Sequence, residues 1–358
     1  MTEAQGNFNR ALQWLGGAID RFIYVRIRIA MPDATIRDVA RRAQVSVATV
    51  SRALNGPDQV SETTRARVTE AVRELSYVPH AGARSLSLAR TNAIGVVLPD
   101  LHGEFFSEIM RGMDREASRR KYLLLLSNLH AGSEQAALAL RAMHGRVDGL
   151  IVMAPHLPAE ELSASLLAGL PTVLINTRDR SGRHSTIHLD NQAGVEAVVD
   201  HLLTLGRTRL VHVAGPALNV DALERRAAFR SAVHARDAEC LIVEGDFEEE
   251  SGERAVAALL ASGHRFDGLF AANDNMAIGA IQALRSAGFR VPQDVAVVGF
   301  DDIPLARHLG LSTIRVRIAE LGERALVRIF AHLHGEQAAT EQLHAPELVV
   351  RGTSDQSA

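Results

Sequence analysis

Cysteine is nearly missing from this chain: among 358 residues there is one, Cys240. A lone thiol excludes an intrachain disulfide framework and any cysteine cluster that could ligate a metal, and it fits a reducing compartment. The short motifs that build common catalytic sites are also absent. There is no Gly-x-Ser-x-Gly elbow, no Gly-x-x-x-x-Gly-Lys phosphate loop and no His-Glu-x-x-His pair. The fifteen histidines are scattered, and His332 with His334, near a helix end, reads as facing solvent rather than binding metal. No catalytic residue, metal or cofactor is therefore expected. A membrane-spanning run is lacking too. Residues 1–30 have no secretory charge pattern, because Asp20 and Arg21 interrupt their apolar part, and they are too short and polar to cross a bilayer.

What is present begins at Ala34. The stretch ATIRDVARRAQVSVATVSRALN spells two short helices joined by a tight turn. Thr35 with Asp38 has the spacing of a capping box at a helix start. Ile36, Val39, Ala40 and Ala43 then recur at the three- and four-residue spacing of one buried face, opposite Arg37, Arg41 and Arg42. After Gln44-Val45-Ser46, Ser46 is placed to cap a second helix from Val47 to about Leu54. Val45 and Val50 point inward, leaving Val47, Ala48, Ser51, Arg52 and Asn55 outward, where a helix docked in a major groove would offer them to bases and phosphates. A third helix starting at Ser61 carries Val68, Ala71, Val72 and Leu75 toward the same small core.

Two short helices with a polar turn read equally well as an ordinary hairpin, and charge decides between the readings. From Ala34 to Arg90 there are nine arginines against five acidic residues, net +4, whereas the whole chain is net -3. A basic module on an acidic protein is the electrostatic footprint of a phosphate-backbone binder.

Beyond residue 90 apolar runs alternate with amphipathic stretches: Ala93 to Leu98, Leu123 to Ser127, Gly149 to Met153, Thr172 to Ile175, Leu210 to Val213, Cys240 to Val243, Gly268 to Ala271 and Val295 to Gly299. Short buried runs separated by helices indicate parallel sheets in βα units. About 270 residues of this pattern exceed what one sheet organises, so two subdomains are expected.

The motifs DVARRAQVSVATVSRALNG, VSETTRARV and LSYVPHAGARSLSL, in that order and spacing, resemble the headpiece of the lactose and galactose repressor (LacI/GalR) family of bacterial transcription regulators, and the likeness runs on to about Thr353. It implies an α/β protein with an N-terminal all-α helix-turn-helix headpiece and two doubly wound α/β subdomains of periplasmic-binding-protein-like type. Residues 1–33 would be an extension, 34–78 the DNA-binding domain, 79–91 a hinge, 92–353 the effector-binding and dimerisation domain with crossovers near Asp190 and Ile314, and 354–358 a tail. Relatives begin shortly before the first helix, which makes Met31 a candidate start. An amphipathic arm that binds a partner is the other reading of the upstream stretch.

The resemblance also assigns roles. Val47 and Ala48 open the recognition helix as in galactose-type repressors, Arg52 and Asn55 match later base and phosphate contacts, and Gln59 matches a contact from the following loop. Apolar Val47 and Ala48 touch thymine methyls or exclude other groups, which leaves Arg52 as the main candidate for hydrogen-bonded readout. Gln44 stands where many relatives have glycine, at a position expected to need a left-handed backbone at a cost of roughly 1 kcal/mol. The segment from Pro79 to Leu86 matches a hinge that folds into a short helix on operator DNA, with Arg84 counted among the DNA contacts and Leu86 as the minor-groove wedge. His80 replaces a more usual asparagine, and Gly82 adds about 1 kcal/mol to helix formation. Without the headpiece this segment would read as a plain linker.

For the effector the resemblance points to Phe105, Arg225, Phe247, Asn273 and Asp301, a set whose directional polar groups and aromatic faces suit a polyhydroxylated ligand. Phe105 and Phe247 could equally be core, and Asn273 and Asp301 could cap the helices that follow them. His102-Gly103-Glu104 and Leu223 depart from the common pattern, so the effector, a sugar or sugar phosphate, is not copied from any one relative. No leucine-heptad tail follows Gly352, and a homodimer on a roughly palindromic operator is expected. The implied protein is a cytoplasmic, nucleoid-associated repressor released by its effector, with no membrane partner. A co-repressor-dependent regulator of purine type is the runner-up. A sugar-binding protein without a DNA role is the weaker rival, since it should carry a secretory leader and lack residues 34 to 90.

Overall fold

The structure is a computed structural model, and it describes residues 34–55, 59–78, 90–101, 103–129, 133–179, 181–336 and 341–355. Two compact units divide the chain, residues 1–89 and 90–358.

In the first unit three helices, α1 (Ile36–Ala43), α2 (Val47–Asn55) and α3 (Glu62–Glu74), close over Val39, Ala40, Ala43, Val50, Ala53, Val68, Ala71 and Tyr77. The capping box expected at the start of α1 forms, with the Thr35 side chain facing the Asp38 amide and the Asp38 side chain facing the Thr35 amide. The Asp38 carboxylate accepts from the Thr35 N–H (3.0 Å) and also from the Thr35 hydroxyl (2.7 Å). At the other end Gln44 adopts φ 54°, ψ 48°, the left-handed conformation expected of it. Arg67 of α3 supports this turn by donating to the carbonyls of Ala43 (3.1 and 2.7 Å) and Gln44 (3.1 Å), a cation placed on the negative end of a helix. Ser46 and Ser61 cap α2 and α3 through the amides of Thr49 (3.1 Å) and Thr64 (3.4 Å).

The second unit holds two parallel sheets. The first is built from β1 (Ala93–Leu98), β2 (Leu123–Asn128), β3 (Gly149–Met153), β4 (Thr172–Ile175) and β5 (Ser185–Leu189), with helices α4 (Gly103–Arg119), α5 (Ser133–Ala142) and α6 (Ala159–Ser165) between them. After α7 (Asn191–Thr204) the second is built from β6 (Arg209–Ala214), β7 (Glu239–Glu244), β8 (Gly268–Ala271) and β9 (Ala296–Val298), with α8 (Val220–His234), α9 (Glu249–Ala261) and α10 (Asp274–Ser286) interleaved. Then follow α11 (Pro304–His308), β10 (Thr313–Arg315), α12 (Ile318–Leu333), β11 (Glu341–His344) and β12 (Glu347–Val349). The strand orders are β11-β5-β4-β3-β1-β2 and β7-β6-β8-β9, every pairing parallel, while β10 and β12 form an antiparallel pair of their own. Burial explains the apolar runs: every residue of β1, β3, β4 and β8 is buried.

The chain crosses between the subdomains after β5 at Asp190 and again around β10. A third had no counterpart in the sequence reading: β11 joins the first sheet beside β5, and the chain returns through Ala345 and Pro346 into β12. The ordered body also runs past residue 353. Ser354 is buried and hydrogen-bonded to His201 (2.7 Å) and Ser312 (2.7 Å), so the tail starts later than expected. At the beginning of this unit Thr91 and Asn92 are already fixed, their amides donating to Asp148 at 2.6 and 2.9 Å. His332 departs from expectation as well: it is half-buried with Nε2 enclosed, whereas His334 is exposed.

Candidate functional site

Two sites stand out, one in each unit. On α2, Val47, Ala48 and Arg52 are exposed and Ser51 and Asn55 half-exposed, spaced so that they share one face of the helix, and Gln59 is exposed in the loop beyond. Asn55 donates weakly to Ser51 (3.4 Å), whereas Arg52 has no hydrogen bond or ion pair among the described residues. Its guanidinium is thus available to a base edge or a phosphate. Arg84 and Leu86 lie outside the described residues.

The second site follows from the strand orders. In an open parallel sheet a crevice forms at the carboxyl ends of the strands where the winding reverses. Here that point lies at β1 and β3 in one sheet and at β6 and β8 in the other, and a cavity with about 730 Å³ of empty space, open to solvent, is lined from both. From the first subdomain come Pro99 and Asp100 after β1, Phe105 and Phe106 on α4, Pro155 after β3 and Asn176 after β4. From the second come Asn219, Asp221 and Arg225 at the start of α8, Phe247 and Glu248 after β7, Asn273 after β8 and Asp301 after β9. All five effector candidates named from the sequence therefore line one cavity. Leu223 does not; it sits on an exposed part of α8.

Arg225 is the best-anchored of these side chains. Nε donates to Asn191 Oδ1 (2.9 Å), Nη1 donates to the Ala272 carbonyl (2.5 Å), and the guanidinium lies over the Phe300 ring at 3.6 Å. Nη1 is 3.8 Å from Asp301, and Nη2 has no hydrogen-bond partner among the described residues. Asp301 likewise has no hydrogen bond to its carboxylate among them. Burial pushes its pKa up to about 7; the Arg225 guanidinium pulls it down and the Asp221 carboxylate pushes it further up. Backbone geometry turns this carboxylate toward the cavity, with φ 119° at Asp301 and 57° at Asp302, and the Asp301 amide donates to the Ile314 carbonyl (2.8 Å).

Asn273 caps the helix that follows it and also braces the neighbouring turn. Its Oδ1 caps α10 through the Met276 amide (3.0 Å), and its Nδ2 donates to the Phe247 carbonyl (2.8 Å), tying the turn that carries the Phe247 ring. Phe247 has φ 75° and packs onto Gly215, where a Cβ would lie 2.4 Å from the ring. Opposite, Phe105 and Phe106 meet edge to face with centroids 5.4 Å apart.

Three polar residues of the site escaped the sequence reading. Asn176 is 1% exposed, and neither its amide nitrogen nor its oxygen has a hydrogen-bond partner among the described residues, although it lines the cavity. A buried unsatisfied amide costs about 1–3 kcal/mol unless something supplies its hydrogen bonds. Asn191 is the hub beneath the site: besides accepting from Arg225, it donates to Asp221 (2.8 Å) and Glu224 (2.8 Å). Asp221 is buried, and its pKa is raised by that burial against the opposing pull of Arg225 and Asn191. The signal that could have found Asn176 is its place right after a buried strand, where sheet ligands sit. Among the described residues no group of three His, Cys, Asp or Glu is placed to hold a metal, and no helix is long and apolar enough to cross a membrane.

Comparison with known proteins matches both units. Residues 35–80 fit the model of bacterial regulatory proteins of the lacI family, and residues 199–354 fit a periplasmic binding protein-like domain. The ribose operon repressor of Escherichia coli K12 is 34% identical over 330 residues, covering 90% of this chain and all of the relative. The HTH-type transcriptional repressor CytR of the same strain is 31% identical over 335 residues, covering 90% and 96%. Among solved structures, a lac repressor dimer bound to operator and the anti-inducer ONPF superposes with a TM-score of 0.83 at 29% identity, over 90% of this chain and 99% of that one.

Proposed function

The chain belongs to the lactose and galactose repressor family of bacterial regulatory proteins, and from that premise we propose that it represses transcription as a homodimer whose grip on operator DNA is released by a sugar bound in the cavity of its second unit. The observation that carries the reading is the unspent hydrogen-bonding capacity around that cavity. The Asn176 amide, the Asp301 carboxylate and Arg225 Nη2 stand without hydrogen-bond partners among the described residues, beside Phe105, Phe106 and Phe247. Hydroxyl groups both donate and accept and would satisfy all three, while an aromatic ring covers the apolar face of a pyranose or furanose. The ribose operon repressors among the relatives support a monosaccharide.

In this reading Val47 and Ala48 contribute shape and methyl contacts in the major groove, Ser51, Asn55 and Gln59 bind nearby, and Arg52 supplies hydrogen-bonded readout. Arg84 contacts the DNA and Leu86 acts in the minor groove. The protein works in the cytoplasm, on the nucleoid, by binding and without catalysis. Effector drawn between the subdomains alters how the dimer presents its headpieces, and linkage requires operator DNA to weaken effector binding by the same factor. The test is to select operator fragments from genomic DNA and titrate them, by fluorescence anisotropy, with and without each sugar that raises the protein's melting temperature. Weaker operator binding with sugar is the expected result. Tighter binding would make the ligand a co-repressor.

A further inference from the structure

The same cavity is lined by more acidic than basic side chains. Asp100, Asp221, Glu248 and Asp301 line it against one cation, Arg225. That cation is already committed, holding the Asn191 oxygen and the Ala272 carbonyl and lying on Phe300, with only Nη2 left over. Asp221 stands four residues before Arg225, one turn away on α8, and Asn191 bonds to both side chains. The acidic residue thus occupies the ground beside the guanidinium where a second cation would be needed to hold a phosphate. Glu224, also bonded to Asn191, adds to the negative side and engages Arg178 only loosely, at 3.8 Å.

We infer that the cavity selects an uncharged, unphosphorylated sugar and rejects sugar phosphates, and that Asp221 is the residue that sets this choice. This rests on the sugar-effector reading above and sharpens it from sugars in general to neutral ones. Two buried acids held beside one arginine repel a phosphate dianion, and a phosphate would have to displace the internal partners of Arg225 to be bound bidentately. A neutral polyol asks for none of this: its hydroxyls donate to carboxylates and accept from Nη2 and the Asn176 amide.

The experiment is calorimetric titration of the full-length protein with matched pairs: D-ribose and D-ribose 5-phosphate, D-glucose and D-glucose 6-phosphate, D-fructose and D-fructose 1-phosphate. At least one neutral member should bind, and its phosphate at least tenfold more weakly. A phosphate that binds more tightly than its parent overturns the inference while leaving the sugar reading intact. Binding by no member of any pair overturns both. In Asp221→Asn the preference should narrow by about tenfold, as removing one like charge at close range predicts, with the melting temperature reporting that the variant is folded. An unchanged preference in a folded variant removes Asp221 from the assignment. Should that variant not fold, the same titrations on the unaltered protein between 0.05 and 0.5 M salt, about a threefold change in screening length, give the second readout. Rejection that weakens with salt supports the charge argument, and rejection indifferent to salt overturns it.

Discussion

At Asp301 a single carboxyl group couples acidity to recognition. Its pKa, raised by burial to about 7, means that it is largely protonated at pH 6 and largely ionised at pH 8. An ionised carboxylate accepts two hydroxyl hydrogen bonds where the acid accepts fewer, so effector affinity should rise by about tenfold between those values if the ligand takes the ionised form. Asp301→Asn should flatten the profile, which titration at both pH values checks. Stability runs the other way for this group. Its folded-state pKa lies above the unfolded one, so its contribution is fully present below about pH 4 and is lost as pH rises through 7. Asp301 and Arg225 were legible because their motifs are local. Asn176 and Asn191 were not, because their roles arise only when strands and helices far apart in sequence converge. Nothing in the string INTRD or LDNQ says that one amide will be left unpaired and the other will serve three partners.

Elements were read with uneven success, for a physical reason. β3, β4 and β8 agree with the sequence reading to the residue, being short, buried on both faces and apolar but for Thr172. β5, β10, β11 and β12 were missed: they are three to five residues long and include threonine, histidine, glutamate and glutamine, and β11 and β12 lie partly exposed. Helix contacts depend on glycine in a way that composition does not reveal. Where α9 crosses α10, a Cβ on Gly279 would lie 1.9 Å from the Glu249 carbonyl oxygen and one on Gly252 would lie 2.1 Å from that of Met276. α4 and α12 repeat the arrangement with Gly112 and Gly322. Backbone cannot step aside as a flexible side chain can. Gly279→Ala should therefore destabilise the second unit by about 1–3 kcal/mol through overpacking, despite alanine's better helix propensity. Thermal denaturation measures this, and an unchanged or higher melting temperature would contradict it.

Across the second unit the cavity and the subdomain crossings meet at two neighbouring aspartates. Asp301 lines the cavity, and the next residue, Asp302, accepts from Arg315 in β10 (2.6 Å) and from Arg351 just past β12 (2.7 Å). One peptide bond thus separates Asp301 from the joint that ties two of the three crossing strands, which makes that joint the route by which coupling is expected. Arg351→Met should leave effector affinity within a few fold of normal while shrinking the factor by which effector weakens operator binding, a factor commonly of about 5–150. Measuring operator affinity with and without a saturating sugar decides the point, since an undiminished factor would remove Asp302 and Arg351 from the coupling route.

The three crossings have a mechanical consequence. One strand between two bodies is a swivel, and two side by side make a hinge with some freedom to twist. Three connectors, at Asp190, around β10 and at Ala345-Pro346, form a strap that bends across its width yet resists torsion. They also interlace the chain, so that neither half of the unit is one continuous stretch. A single proteolytic cut in any connector would leave the halves joined by two others. A circular permutant opened at one of them would keep its architecture and gain rotational slack, separating what bending alone contributes to repression from what twist would spoil.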